Sequence, residues 1–322
     1  MYRELAKLLG ANFPMDKSIA MLLGQHPSSS HRQFLGGLQR GFDQRMGFAE
    51  GMRAHNQGIA STLELSLIES GERSGRLGEA CLHLAHYFTT WHKGIRSARG
   101  AMVYPLLLLH VGVILPEVTR NIMMGAMGHV THPAAAIIWR IAIFWLVLLA
   151  LALVWRTLSR IAVRSEAVDR VINMLPLIGA VRRHWALARF CQVFHSGLLA
   201  SMHITECLRM AGEASQSGIL LKGSTIAGEA LRLGRPLSEA FDRSRRFPRH
   251  FINSMATSEA AGGLDTEMAR WAAAETEFAA ESQQAAAEWY PKALYFCIVG
   301  YVAWRVVSLF IEYYGSIMEM TK

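Results

Sequence analysis

One short stretch that occurs twice constrains this chain more than any other feature. Ile68-Glu69-Ser70-Gly71-Glu72-Arg73-Ser74-Gly75-Arg76-Leu77 shares the skeleton Glu-x-x-Gly-x-Leu with Glu259-Ala260-Ala261-Gly262-Gly263-Leu264, the second glutamate lying 187 residues after the first. Each copy opens a long helical segment that runs to a Tyr-Pro pair, Tyr104-Pro105 and Tyr290-Pro291, and an apolar run follows each pair. Upstream, Phe48-Ala49-Glu50-Gly51-Met52 has its counterpart in Leu237–Phe241, offset by 189. Similarity at a near-constant offset is the mark of a tandem duplication. The expected unit is helical, written twice, with each copy ending in a membrane span.

No segment alternates with the period of two that a strand requires. The expected class is therefore an all-α membrane protein: two duplicated cytoplasmic helical bundles, of about six helices each by hydrophobic periodicity, and three transmembrane helices. The bundles are expected at 1–100 and 165–288, and the spans at 101–127, 134–155 and 290–311. The first span, apolar over Val103–Met124, is interrupted by Pro105, His110, Pro116, Glu117 and Arg120. Its clean part is short against the ~20 residues a bilayer needs. It is assigned because the second copy places a span at the same point. The outer loop is expected at Gly125–Pro133.

Within the first bundle, residues 1–24 read as an amphipathic helix pair broken at Asn12–Pro14, with Asp16 as N-cap of the second helix. Gly78–Ala98 reads as a long helix burying Leu82, Ala85, Phe88 and Trp91. Leu175–Gly179 reads as the turn that begins the second bundle.

Charge fixes the expected orientation. Hydrophobic residues make up 52% of the chain and charged residues 18%, a balance suited to a membrane protein with sizeable soluble parts. Twelve Lys/Arg fall in residues 1–102 and seventeen in 156–292, whereas only Arg120 lies between Leu115 and Ala134. Cytoplasmic segments carry such an excess, so both bundles are placed in the cytoplasm, with a cytoplasmic N-terminus and, after three spans, a periplasmic C-terminus. Eight and fourteen carboxylates on the same segments exclude a nucleic-acid-binding stripe. The cysteines Cys81, Cys191, Cys207 and Cys297 form no CxxC pair and read as small buried hydrophobes in a reducing compartment. The N-terminus lacks the continuous apolar core of a signal peptide.

In order and placement, these motifs resemble the polytopic inner-membrane platform protein of bacterial type II secretion systems and type IV pilus machines, the F-type (GspF/PilC-like) family. The residues that carry the resemblance are Gly71-Glu72-x-x-Gly75-x-Leu77, Ser97-Ala98 through Tyr104-Pro105, and Leu175–Gly179 followed by Ala188-Arg189-Phe190. Gly234-x-x-Leu237-Ser238-x-Ala240, Phe247-Pro248 and Ser258-Glu259-x-x-Gly262-x-Leu264 continue it. Departures are Ala11-Asn12 and Ala200-Ser201 where the family has Ala-Gly, and Ser258-Glu259 for the second Gly-Glu. The short N-terminal region points to a pilus-type system of the type IVb or conjugative kind. The resemblance implies a scaffold without chemistry of its own. It would couple a hexameric cytoplasmic assembly ATPase to the insertion of pilin or pseudopilin subunits into a fibre. Other inner-membrane assembly proteins, the lipid bilayer and further copies of the chain would be its partners, with no nucleic acid.

Candidate sites follow from the same features. Glu72 and Glu259, with Gly75 and Gly262, are expected to cap the amides of the following helix or to contact a partner such as the ATPase. Glu117, Arg140 and Arg305 are ionisable groups in or near spans, where charge is costly. They are expected to form an intramembrane ion pair or, as the resemblance implies, to receive a carboxylate of the pilin membrane helix. Cys81, His83, His86 and His92 crowd one helix, but only His83 and His86 share a face, too few for a metal site. HExxH, GxxxxGK[ST] and GxSxG are all missing, so no catalytic, cofactor-binding or metal residue is assigned. A transporter or channel subunit built from duplicated halves is the alternative; a membrane enzyme is a third reading without a nucleophile to support it.

Overall fold

A computed structural model describes residues 1–126 and 133–320, and every regular element among them is an α-helix. In chain order these are α1 (Tyr2–Gly10), α2 (Met15–Gly24), α3 (Ser29–Asp43), α4 (Phe48–His55), α5 (Thr62–Arg73), α6 (Leu77–Ala126), α7 (Pro133–Ala162), α8 (Glu166–Asn173), α9 (Ile178–Leu199), α10 (Ile204–Ala214), α11 (Gly218–Arg232), α12 (Leu237–Ser244), α13 (Arg249–Ala261) and α14 (Leu264–Met320). They divide into two compact units. One comprises Met1–His92 and Ser159–Ser282; the other comprises Lys93–Leu158 and Gln283–Lys322. The unit boundaries fall inside α6, α7 and α14.

The first unit has a single hydrophobic core drawn from both halves of the sequence. On the N-terminal side Leu5, Ile19, Leu35, Leu38, Met52 and Leu67 are fully buried. From the other half, Phe190, Phe241, Phe247 and Phe251 pack ring on ring, with centroids 4.5 Å apart for Phe241–Phe247 and 5.1 Å for Phe190–Phe247. Trp271 closes the set, 5.2 Å from Phe251. The halves meet through α5 against α9 and α10. Tyr87 on α6 stands edge-on to Trp185 on α9 at 5.0 Å, and Trp91 does the same at 5.4 Å. Arg73 bridges to Glu206 at 3.1 Å. The regions expected as two bundles thus share one interior.

Local chemistry sets the helix ends. Ser61 and Glu64 form a capping box at the start of α5: Glu64 N–H donates to Ser61 Oγ (3.3 Å) and Ser61 N–H to Glu64 Oε2 (2.7 Å). Tyr2 donates its hydroxyl to the other oxygen of the same carboxylate at 2.7 Å, tying α1 to α5. Asp16 lies in the first turn of α2 rather than at its N-cap, which is Pro14; there its charge faces the positive helix end. The Leu175–Gly179 turn holds Leu177 at φ +60°, and α9 starts at the next residue. Gly179 is required by crowding, since a Cβ there would lie 2.1 Å from the Asn173 carbonyl oxygen.

Two further sequence expectations change. Leu82 is 58% exposed, and the buried stripe of α6 is Cys81, Leu84, Ala85 and Tyr87. Tyr2 of α1 stacks on Phe88 and Trp185 of α9 stands against Tyr87, so two neighbours cover the helix and its buried face departs from the simple i, i+3 series through Leu82. Cys81, Cys191 and Cys207 are buried, but Cys297 is exposed, on a stretch of α14 where Phe296 and Trp304 are exposed too.

The second unit holds the apolar lengths of α6, α7 and α14. Neither Tyr-Pro pair ends its helix: Pro105 lies inside α6 and Pro291 inside α14. A proline deletes one backbone hydrogen bond and bends the axis, yet the helices continue, which a membrane helix tolerates. Among the described residues two helical stretches are long and apolar enough to cross a bilayer, Leu77–Pro116 and Ile141–Ala162. The second is about 33 Å long at ~1.5 Å per residue, and none of its most apolar window is buried. The third expected span, 290–311, is continuous helix but does not meet that test among the described residues. The expected outer loop lies mostly outside the described residues.

Core burial predicts a contrast. Phe190→Ala should lower stability by about 3–5 kcal/mol, whereas Leu82→Ala should stay within about 0.5 kcal/mol. Chemical denaturation of the detergent-solubilised chain reads both, and equal losses would contradict the placement of Leu82 on the surface.

Candidate functional site

The repeated Glu-x-x-Gly-x-Leu motif forms the same local structure in both places. Residues after a helix must close off its last carbonyls. At the end of α5, Gly75 N–H donates to Glu72 O (3.2 Å) and Arg76 N–H to Gly71 O (2.8 Å). At the end of α13, Gly262 N–H donates to Glu259 O (3.3 Å) and Gly263 N–H to Ser258 O (2.9 Å). This crossed pair is a Schellman turn, and it needs a left-handed residue. Gly75 (φ +70°) and Gly262 (φ +74°) supply it. Leu77 and Leu264, two positions on, start the next helix and pack against the core.

The glutamate side chains do something the sequence did not indicate. Each caps a helix that comes earlier in the chain, not the one that follows. Glu72 accepts from Phe48 N–H (2.6 Å) and Ala49 N–H (2.9 Å), the first amides of α4. Glu259 accepts from Leu237 N–H (2.6 Å) and Ser238 N–H (2.9 Å), the first amides of α12, and from the Ser238 hydroxyl (2.7 Å). Neither helix has a side-chain cap of its own; their N-caps are Gly47 and Pro236. A carboxylate across free amides at a helix start gains from both charge-assisted hydrogen bonds and the helix dipole. Gly47 makes room for it: a Cβ there would lie 2.7 Å from Glu72 Oε1. Partial burial pushes the Glu259 carboxyl up, but the amide and hydroxyl of Ser238 and the amide of Leu237 outweigh this and hold it below the ordinary range.

A third carboxylate, missed in the sequence, plays a similar part. Asp169 on α8 is 1% exposed and accepts from Arg182 Nη2 (2.9 Å), the Ser217 hydroxyl and Ile219 N–H (3.3 Å) at the start of α11. Its partners are 13 to 50 residues away in sequence, so no local pattern marked it. Arg189, within a motif quoted above, is buried at 7% exposure and donates through Nε and Nη2 to Ser215 O and through Nη1 to Tyr87 Oη.

The histidines are distributed differently from their spacing. His83 and His86 on α6 meet His195 on α9 at the wall of a cavity of about 640 Å³, beside Gln192 and Glu277. His92 is not part of it. No group of three or more His, Cys, Asp or Glu among the described residues could hold a metal ion. Of the intramembrane candidates, the side chains of Glu117 and Arg140 lie outside the described set, and Arg305 is a half-buried residue of α14.

Comparison with known proteins now bears on these features. The sequence model of the family described as "Type II secretion system (T2SS), protein F" matches residues 1–125 and again residues 190–314. The chain belongs to that family. Both Glu-x-x-Gly-x-Leu turns lie inside the matched segments. Similar curated proteins include the "Type II secretion system protein F" of Aeromonas hydrophila, 24% identical over 83% of this chain and 73% of the relative. The "Type IV pilus assembly protein PilC" of Thermus thermophilus is 26% identical over 83% of this chain and 70% of the relative. The "Protein transport protein HofC homolog" of Escherichia coli is 22% identical over 81% and 69%.

Replacing Glu72 or Glu259 by Ala should each cost about 0.5–2 kcal/mol, the usual worth of a helix N-cap. Because its carboxyl is depressed in the folded protein, Glu259 contributes stability that is full above its unfolded pKa and is lost as pH falls through the lower folded value. Melting curves from pH 7 down to pH 3 should show a smaller acid-induced drop for Glu259→Gln than for the parent chain; unchanged curves would remove the cap from the stability account.

Proposed function

We propose that this chain is a non-enzymatic platform of the bacterial inner membrane that assembles a type IV pilus or a type II secretion pseudopilus. In this reading a hexameric cytoplasmic ATPase drives it, and pilin or pseudopilin subunits pass from the bilayer into the fibre against it. The observation that carries the reading is the twofold match of one secretion-family model to segments that contain the same Glu-anchored turn. Relatives named for type II secretion and for type IV pilus assembly both support the platform role. A tandem duplication belongs to the same proposal. The equivalent contacts, Glu72 to Phe48 and Ala49, and Glu259 to Leu237 and Ser238, favour it.

Three spans, a cytoplasmic N-terminus and a periplasmic C-terminus complete the proposed topology, with 290–311 as the third span. The folded unit of Met1–His92 and Ser159–Ser282 then faces the ATPase in the cytoplasm. Glu117, Arg140 and Arg305 are the proposed intramembrane contacts. In hydrocarbon a charge is stable only beside a partner, and a pilin carboxylate is one such partner. Several copies of the chain, together with other inner-membrane assembly proteins, would form the working complex.

The test uses the full-length chain. Purified in detergent and mixed with its cognate assembly ATPase, it should bind and change ATP turnover; an ATPase indifferent to it under conditions where both proteins are folded would overturn the coupling. In cells lacking the chain, fibre assembly or secretion should stop and return with the wild-type copy. Arg305→Glu should accumulate as membrane-inserted protein yet fail to restore the fibre. Full restoration by that variant would exclude Arg305 as the pilin contact.

A further inference from the structure

Among the described residues few buried side-chain polar atoms lack a hydrogen-bond partner, and three of them gather in one place. Ser159 Oγ, Asn173 Oδ1 and Arg182 Nε are each buried and unpartnered, and their residues line a single cavity of about 180 Å³ in the first unit. A buried polar group without a partner costs about 1–3 kcal/mol, so a convergence of three marks a space that something polar fills. The space is large enough for several waters.

The chemistry of the lining narrows the occupant. Arg182 uses Nη2 on Asp169, leaving its Nε–H directed elsewhere. Arg189 also lines the cavity and is buried. Of the five N–H groups of a guanidinium, Arg189 commits three, to the neutral acceptors Ser215 O and Tyr87 Oη. Among the described residues no carboxylate lies within 4.0 Å of it. Asp169 balances one arginine, so the lining keeps one positive charge in excess. A buried charge of that kind calls for an anion. An anion there meets two unpartnered donors, Arg182 Nε–H and the Ser159 hydroxyl, and one unpartnered acceptor, Asn173 Oδ1. A ligand that offers oxygens and a hydrogen-bond donor together satisfies all three. Ser159 belongs to the last turn of α7, at the end of the apolar stretch Ile141–Ala162. The cavity thus sits where a helix of that kind would leave the hydrocarbon for the headgroup layer.

We propose that this cavity binds a phosphate group that carries its own hydrogen-bond donor. Two sources have that chemistry: hydrogenphosphate ion, through its P–OH, and a phospholipid headgroup with an amine or hydroxyl, such as phosphatidylethanolamine. Phosphate oxygens take the Arg182 and Ser159 donors, and the excess charge of Arg189 is neutralised. The P–OH, or the headgroup ammonium, donates to Asn173 Oδ1. Sulfate at neutral pH and phosphatidylcholine have the negative oxygens without the donor, so the site discriminates against both.

The full-length chain, delipidated in a neutral detergent, is the material for the test. Inorganic phosphate should bind, seen as broadening of its phosphorus resonance, and sulfate at equal ionic strength should fail to displace it. In the second arm, native mass spectrometry after exposure to phosphatidylethanolamine or phosphatidylcholine vesicles should show the first lipid retained and the second not. Phosphate binding alone assigns the free ion; retention of phosphatidylethanolamine, with competition by phosphate, assigns the headgroup. Ser159→Ala and Asn173→Leu should each weaken whichever ligand binds, by about tenfold for a lost buried hydrogen bond. Unchanged helical circular dichroism checks that the variants fold. Binding of neither probe, binding untouched by both substitutions, or equal binding of the donor-free analogues would overturn the proposal and leave the cavity to water.

Discussion

A helix begins with amides that the helix itself cannot satisfy, and much of this fold follows from how those amides are supplied. Glu72 and Glu259 sit at the ends of α5 and α13 and reach to the starts of α4 and α12. The main chain of each glutamate closes a left-handed turn while its side chain opens another helix. Three helices therefore depend on one residue: the one it ends, the one it caps, and the one that begins at the leucine beyond the glycine. Asp169, inside α8, also accepts an amide at the start of another helix, that of Ile219 in α11. Geometry of this kind tolerates little change in reach, because a carboxylate must lie across two consecutive amides at once.

The same economy is absent from the second unit, where apolar length takes over. α6, α7 and α14 carry exposed large apolar residues, among them Trp139, Leu146 and Trp304 at more than 60% exposure. In water such surfaces would be unstable, and in hydrocarbon they are the ordinary outside of a helix. Pro105 and Pro291 sit inside these helices without ending them. Where no water can solvate open backbone, a continuous helix costs less than a broken one.

The sequence showed the skeleton of this arrangement better than its contacts. The break between α1 and α2 falls at Asn12–Pro14, where the sequence places it. The glycine of the repeated motif was legible because few other residues accept its backbone angle. The target of the glutamate was not, since Phe48 lies 24 residues back and only the tertiary fold brings it close. Leu82 was misplaced for a related reason: helical spacing identifies a stripe, but which stripe is inside depends on what packs there. Ser61 and Glu64 are a different case, since their Ser-x-x-Glu spacing is itself the local pattern of a capping box. The cavity beside Arg182 and Arg189 had no linear signature at all, because its walls come from four helices, α6, α7, α8 and α9, and the loop before α11.

Sharing one interior has a consequence for how such a chain is made. The core of the first unit needs Leu5 and Phe34 from its start and Phe190, Phe251 and Trp271 from far along it. The residues between these two contributions, Lys93–Leu158, belong to the other unit. A ribosome delivers the first half of the core, then a long apolar interval, and only afterwards the half that completes it. Domains otherwise tend to fold in the order of synthesis. Here the early helices must wait with an unfinished apolar face until the later ones emerge. Biosynthesis would thus have a vulnerable interval in which the nascent chain needs shielding, and its length is set by the apolar segment placed between the halves.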